Sequence, residues 1–214
     1  MDMNTHKIII VGCGPGALNY LTPAARAAIE NAEVLVGAQR LLDLFPAQHA
    51  ERIVVKADIE SVLNRIVARA GSKKVAVLVS GDPGLCSLAK PVIKRFGRDA
   101  CEIIPGISSV QVAFAHVGLD WLDARIVSAH DKTPDISPAA LAGEKKIAIL
   151  AGNDVAQSWI ASLAELLASS HQTFVCEHLT LSGESVRQVR PSELQSMKLP
   201  SRAIILLVHK EVLS

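Results

Sequence analysis

Short apolar runs alternate with helix-patterned stretches along this chain, and the strongest runs end in glycine. Lys7–Val11 (KIIIV) stops at Gly12, Val34–Val36 at Gly37, and Lys74–Ser80 (KVAVLVS) at Gly81. Runs that are apolar on successive residues belong to strands covered on both faces, and such strands pair in parallel under flanking helices. Arg52–Val55 and Glu102–Ile104 are expected to join them. Thr22-Pro23 opens a helix to about Asn31, with Thr as the cap and Pro at the first helical position. Asp58 caps a helix whose Ile59, Val62, Leu63, Ile66 and Val67 form one apolar stripe. Further helices are expected over Gly37–Phe45, up to about Phe96, and from Ser108-Ser109 to about Val117. Gly118–Asp123 reads as the connection to a second unit with strands Arg125–Ala129, Lys146–Leu150, Thr173–Glu177, Ser185–Val189 and Ala203–His209. A helix from Asn153 or Asp154 to Ala168 turns Val155, Trp159, Ile160, Leu163, Leu166 and Leu167 inward. From Thr173 onward two strands have little chain between them, which predicts an antiparallel pair. The fold class is α/β, with a mostly parallel sheet in a first domain, 1–117, and a mixed sheet in a second, 118–214.

Composition narrows the function. The 214 residues are half apolar, enough for a core, and no apolar run approaches the ~20 residues of a membrane span. The polar start, Met1–Lys7, lacks a signal-peptide core, so a soluble cytoplasmic protein is expected. Aromatic residues make up only 3% and the net charge is +1, which argues against nucleic acid as a partner. The positive charge is concentrated early: residues 1–112 carry 13 basic and 10 acidic groups, residues 113–214 carry 9 and 11. Cys13, Cys86, Cys101 and Cys176 have no CxxC spacing and are expected as free thiols. Cys176 and His178 would share a strand face, a weak pointer to metal; no protein-bound metal is expected.

Three glycine-rich loops follow strands, where ligands of α/β proteins bind: Gly12–Gly16, Gly81–Gly84 and Pro105–Ser109. Gly12, Gly14 and Ala17 fit a dinucleotide fingerprint formally. Two features reject it. The second strand ends in Gly37 without a carboxylate for a ribose, and Pro15 removes an N–H from the stretch that would face a pyrophosphate. No Gly-Lys-Ser/Thr occurs, so a P-loop is absent too. Asp82 reads either as a turn-forming helix cap or as a carboxylate at the mouth of a cleft, beside a ligand with positive charge or hydroxyls.

The ordered set of motifs resembles the tetrapyrrole methylase superfamily. Ile8–Leu42 (IIIVGCGPGALNYLTPAARAAIENAEVLVGAQRLL) resembles its opening, and SGDPG (Ser80–Gly84), IPGISSVQ (Ile104–Gln111) and SAH (Ser128–His130) follow in the same order. GAQRLL, PGISSVQ and the Trp121 region look most like the cobalt-precorrin-7 C-5-methyltransferase family, the methylating half of precorrin-6Y methylase. Cys86 and His130-Asp131 depart from the family pattern. The resemblance is densest over residues 8–130.

The resemblance implies two α/β domains holding folded S-adenosylmethionine, with S-adenosylhomocysteine as product, and a corrin precursor of cobalamin synthesis as acceptor, methylated at C-5. By motif, donor contacts fall to Pro15, Gly81, Asp82, Leu85, Ser108, Ser109, Leu150 and Ala151, with Glu177 or His178 on the adenine side. Asp82 and His130 are the candidates for a general base. Arg40, with Arg26, Lys90 and Lys94, is the candidate for the acceptor's carboxylates. A homodimer is implied, and decarboxylation with C-15 methylation is expected from a separate methyltransferase partner. The alternatives are another member of the superfamily acting at a different ring position or acceptor, and a non-catalytic S-adenosylmethionine-binding protein of this fold. A dinucleotide oxidoreductase stands further off.

Overall fold

The computed structural model describes residues 6–46, 49–152 and 156–213, and the chain divides into two compact units, Met1–Ser108 and Ser109–Ser214. In the first, β1 (Ile8–Gly12), β2 (Val34–Gly37), β3 (Glu51–Val54), β4 (Val75–Val79) and β5 (Cys101–Ile104) form one sheet in the order β3-β2-β4-β1-β5. Every pairing in it is parallel, with Ile10 opposite Val77 on one side and Ile103 on the other. The apolar strand runs are explained by cover on both faces. Ile8, Ile10, Val34, Val36, Val75 and Val77 pack with Val62, Leu63 and Ile66 of α3 (Ile59–Val67) and Val92 of α4 (Ala89–Phe96). On the opposite face Val11, Leu35, Ala76 and Leu78 meet Ala25 and Ile29 of α1 (Pro23–Glu30) and Leu41 and Leu42 of α2 (Gln39–Leu42). The expected caps are in place: Thr22 accepts from Ala25 N at 3.1 Å and Asp58 Oδ1 from Ser61 N at 3.0 Å. The helix expected over Gly37–Phe45 shortens to the single turn of α2, and Val67, placed in the apolar stripe of α3, is exposed.

In the second unit β6 (Arg125–Ala129), β7 (Lys146–Ala151), β8 (His171–Glu177), β9 (Ser185–Val189) and β10 (Ile204–His209) lie in the order β6-β7-β10-β8-β9. Only β6 and β7 pair in parallel, and the antiparallel pair expected after Thr173 is β8–β9. The helix α6 (Gln157–Leu166) buries Ile160 and Leu163 among Ile147, Ile149, Ile205 and Leu207. Leu166, expected inward, is exposed at the last helical position, and Val155 lies outside the described residues. His178, placed on the strand face of Cys176, turns out of β8 with φ +50°. Among the described residues no group of three His, Cys, Asp or Glu side chains is arranged to hold a metal ion, and no helix is long and apolar enough to cross a membrane.

The unit division falls at the start of α5 (Ser109–His116), ahead of the 118–123 connection expected from the sequence. The reason is burial: Val110, Val112, Ala113 and Phe114 are covered, and α5 packs on β10. The connection itself is tied down by Lys146, a buried cation whose Nζ donates to Asp120 Oδ1 at 2.7 Å and Asp120 O at 3.2 Å. That hydrogen bond holds the Asp120 carboxyl below its ordinary pKa.

His171 is the buried histidine of this unit, 4% exposed. Its ring lies 2.8 Å from both Ser170 Oγ and Glu144 O, edge-on to His209. Burial, with the nearby His209 and Lys210 charges, pushes its pKa below the ordinary value against the Glu144 hydrogen bond. The unfolded chain therefore takes up this proton first as pH falls. The stability tied to His171 is full above the ordinary imidazole pKa of about 6.5 and is lost on acidification through it towards the lower folded value. His171→Gln is expected to cost about 1 kcal/mol at pH 7.5 through lost hydrogen bonds and to flatten the decline of stability between pH 7 and 5.5, read by urea unfolding across that range.

Candidate functional site

The strand order β4-β1-β5 brings the three glycine-rich loops side by side at one sheet edge, since each follows one of these strands. They are joined backbone to backbone. Gly14 N donates to Gly81 O at 3.2 Å, Gly81 N to Gly14 O at 2.8 Å, and Cys13 N to Val79 O at 2.9 Å. The approach is close enough to exclude side chains. A Cβ on Gly12 would lie 2.5 Å from Gly106 N and 2.8 Å from Gly81 O, well inside contact distance. Gly81 also takes φ +64°, which favours glycine.

One side chain enters this backbone cluster. Asp82 Oδ1 accepts from Gly84 N at 2.8 Å, and Asp82 Oδ2 accepts from Gly106 N at 3.0 Å, reaching past the end of β1 to the loop after β5. Leu85 N donates to Asp82 O at 3.1 Å. The N–H groups of Cys13, Gly14, Gly81, Gly84, Leu85 and Gly106 are thus spent within the loops, and Pro15 has none. A phosphate cradle needs such donors turned outward. These loops turn them inward and carry a carboxylate, so they suit a ligand bearing positive charge and hydroxyls.

The other expected site residues fall into groups. Pro15 and Ser108 are buried and Leu85 half-buried, all in the first unit, and the Cβ that Gly81 lacks would touch Ser108 Cα at 3.7 Å. Ser109 begins α5 in the second unit, where Leu150 and Ala151 end β7 and His130 follows β6, its Nε2 3.9 Å from Asp131 Oδ1. Arg40 is exposed on α2, and its guanidinium is near enough to the first loop to pull down the pKa of Cys13. Burial prevails there and holds that thiol up at about 12, so Cys13 is no nucleophile; Cys176 is raised to about 12 in the same way. The turn of α2 is held by Arg52, which donates to Leu42 O at 3.1 Å and to Phe45 O.

Sequence reading missed the contact of Gly12 with Gly106. Its signal was the placement of glycines just beyond two strands that prove to be neighbours. It also missed the same device in the second unit, where Gly152, next after β7, lies against the His130 backbone too closely for a Cβ.

A family model described as tetrapyrrole (corrin/porphyrin) methylases matches residues 7–195. The chain belongs to the tetrapyrrole methylases. Within that family it is 34% identical over 180 residues to a cobalt-precorrin-7 C(5)-methyltransferase of Salmonella typhimurium, covering 84% of this chain and 88% of the relative. A precorrin-6Y C(5,15)-methyltransferase (decarboxylating) of Sinorhizobium sp is 29% identical over 184 residues, 84% of this chain but 44% of that protein. Among solved structures, a cobalamin-biosynthesis precorrin-6Y methylase from Archaeoglobus fulgidus superposes with a TM-score of 0.72 at 27% identity, covering 95% of this chain and 98% of the other. The fold is shared with a uroporphyrin-III C-methyltransferase from Thermus thermophilus complexed with S-adenosylhomocysteine, with a TM-score of 0.73 at 20% identity over 94% and 92% of the two chains.

The glycine contacts make a stability prediction for this tetrapyrrole methylase. Gly12→Ala is expected to destabilise by about 3 kcal/mol, because the methyl must displace backbone on both neighbouring loops. Gly143→Ala, with nothing within 4 Å, is expected to stay within about 0.5 kcal/mol of the parent in the same urea titration.

Proposed function

We propose that this chain is an S-adenosylmethionine-dependent C-methyltransferase acting at C-5 of a corrin precursor, of the cobalt-precorrin-7 or precorrin-6Y type, in cobalamin biosynthesis. The observation that carries the reading is the loop cluster of the first unit, where the Cys13, Gly14 and Gly81 N–H groups bond backbone carbonyls and those of Gly84 and Gly106 bond the Asp82 carboxylate. Such a cradle rejects nucleotide phosphates and admits a cationic, hydroxyl-bearing donor. The family membership and the 34% identity to a cobalt-precorrin-7 C(5)-methyltransferase support the acceptor.

S-adenosylmethionine, when bound, supplies a methyl group on a sulfonium that becomes a neutral thioether on transfer. Pro15, Gly81, Leu85 and Ser108 are the proposed holders in the first unit, on loops that Asp82 ties together. Ser109, Leu150 and Ala151 are added from the second on the motif match alone. The work of these residues is to hold the donor dry and aligned with the acceptor carbon, so proximity is the principal term. An electron-rich ring carbon needs no general base. Where a proton must leave, the exposed imidazole of His130 is the proposed acceptor, because Asp82 already spends both carboxylate oxygens on backbone.

Arg40 is the proposed partner for an acceptor carboxylate, as an exposed guanidinium beside the first loop. The reading extends to a cytoplasmic homodimer with no protein-bound metal. It assigns only C-5 methylation to these residues and leaves decarboxylation with C-15 methylation to a separate methyltransferase. Support for that division is the Sinorhizobium relative, less than half of which is matched here.

Tritiated methyl transfer from S-adenosylmethionine to a panel of precorrins tests the activity: label is expected at C-5 of the precorrin-7 type acceptor, and transfer to a different precorrin would move the chain elsewhere in the family. In the same assay Arg40→Ala is expected to raise the acceptor KM about tenfold, the scale of one charged hydrogen bond, while S-adenosylhomocysteine affinity by calorimetry stays unchanged. An unchanged acceptor KM removes Arg40 from the acceptor site.

A further inference from the structure

We propose that Asp82 is a positioning residue, a carboxylate strut that sets the spacing of the loops after β4 and β5 and so shapes the donor cradle. The inference rests on the donor reading above and goes beyond it by giving Asp82 its role. Three features of the structure carry it. First, the two carboxylate oxygens point to different loops: Oδ1 to Gly84 N at 2.8 Å within its own loop, Oδ2 to Gly106 N at 3.0 Å in the loop after β5. Second, β1 lies between β4 and β5 in the sheet, so the second bond must pass the end of β1. It can pass because Gly12 there has no side chain; a Cβ at Gly12 would sit 2.5 Å from the same Gly106 N that Asp82 holds. Third, Gly106 lies two residues before Ser108, a buried residue of the proposed cradle.

A carboxylate is the side chain that fits this task. Both partners are N–H donors, and only a group with two acceptor oxygens satisfies both. Asparagine has the same shape but offers one oxygen and one NH2, so one of the two backbone donors must face another donor. Hydrogen bonds from backbone N–H to an ionised carboxylate are also the stronger kind. Asp82 therefore acts on the donor through the backbone of Gly84 and Gly106, and its replacement changes the cradle as a whole.

The test compares Asp82→Asn with the parent protein for two ligands by calorimetry. S-adenosylhomocysteine carries the ammonium and carboxylate of the amino-acid tail; 5′-methylthioadenosine carries neither. A strut predicts that both ligands weaken by the same factor, about tenfold, and that the acid limb of the kcat/KM pH profile is kept. Weakening of S-adenosylhomocysteine alone would mean that Asp82 pairs with the donor's ammonium, and loss of the acid limb with full affinity would mean a general base; either overturns the proposal, as does unchanged affinity for both. Amide hydrogen exchange on the unmodified protein gives a second arm should the variant not fold. Gly84 and Gly106 amides are expected to exchange at least tenfold slower than that of Gly143, which lies in an exposed turn, and equal rates would refute the strut. If the parent binds neither ligand, the donor reading falls, and the exchange rates still decide whether the strut exists.

Discussion

The backbone of Gly12 touches the backbones of Gly106 and Gly81, and no residue with a Cβ fits at that point. This contact decides what the sheet edge can become. In a parallel sheet the loops that leave the two neighbours of a strand are separated by that strand. Here the intervening strand is β1, and its last residue has no side chain. The loops after β4 and β5 can then bond to each other directly, through Asp82, while Gly14 and Gly81 bond across from the β1 side. The order β4-β1-β5 and a glycine at the end of β1 are both needed.

The engaged donors argue against phosphate recognition at these glycine-rich loops, although such loops after parallel strands often serve it. Phosphate recognition at such loops depends on free N–H groups and a helix N-terminus. In this tetrapyrrole methylase the N–H groups of Cys13, Gly14, Gly81, Gly84 and Gly106 are engaged within the cluster, and two of them bond the Asp82 carboxylate. An incoming phosphate would have to break those bonds and face a like charge. A sulfonium or ammonium faces no such barrier. The glycines thus serve close packing between loops, whereas in a phosphate cradle they serve close approach to the ligand.

Much of this was legible in the residues. A run such as Val75–Val79 (VAVLV) names a buried strand because each residue is apolar, and β4 is covered throughout. Thr22-Pro23 and Asp58 mark helix starts through chemistry that is local to the sequence, and both caps form as read. The three loops were identifiable as glycine-rich, and Pro15 and the missing acidic residue after Val36 were enough to reject a dinucleotide site. What stayed hidden depends on sheet order. Nothing in the local sequence says that Gly12 and Gly106 are neighbours, or that the carboxylate of Asp82 bridges loops 24 positions apart. The compact units divide at Ser108 and Ser109, ahead of the connection read from the sequence, for a similar reason. Local pattern reads α5 as the last helix of the first unit, but its cover comes from β10, far along the chain. Leu166 fell on the apolar stripe by period alone, yet at the helix end the core no longer covers it.

The role proposed for Arg40 rests on a weak local element. A single turn of four residues does not persist on helix propensity. It is held by tertiary contacts: Leu41 and Leu42 are buried beneath it, and Arg52 of β3 bonds the carbonyls of Leu42 and Phe45 at its carboxyl end. Those contacts fix the helix axis while Arg40 projects from the same turn, near enough to the first loop for its charge to act on Cys13. The guanidinium is therefore positioned by residues whose own roles are wholly structural. Loosening Arg52 would displace the charge without touching it, so the proposed acceptor contact depends on the burial of Leu41 and Leu42 and on the bonds of Arg52 as much as on the cation itself.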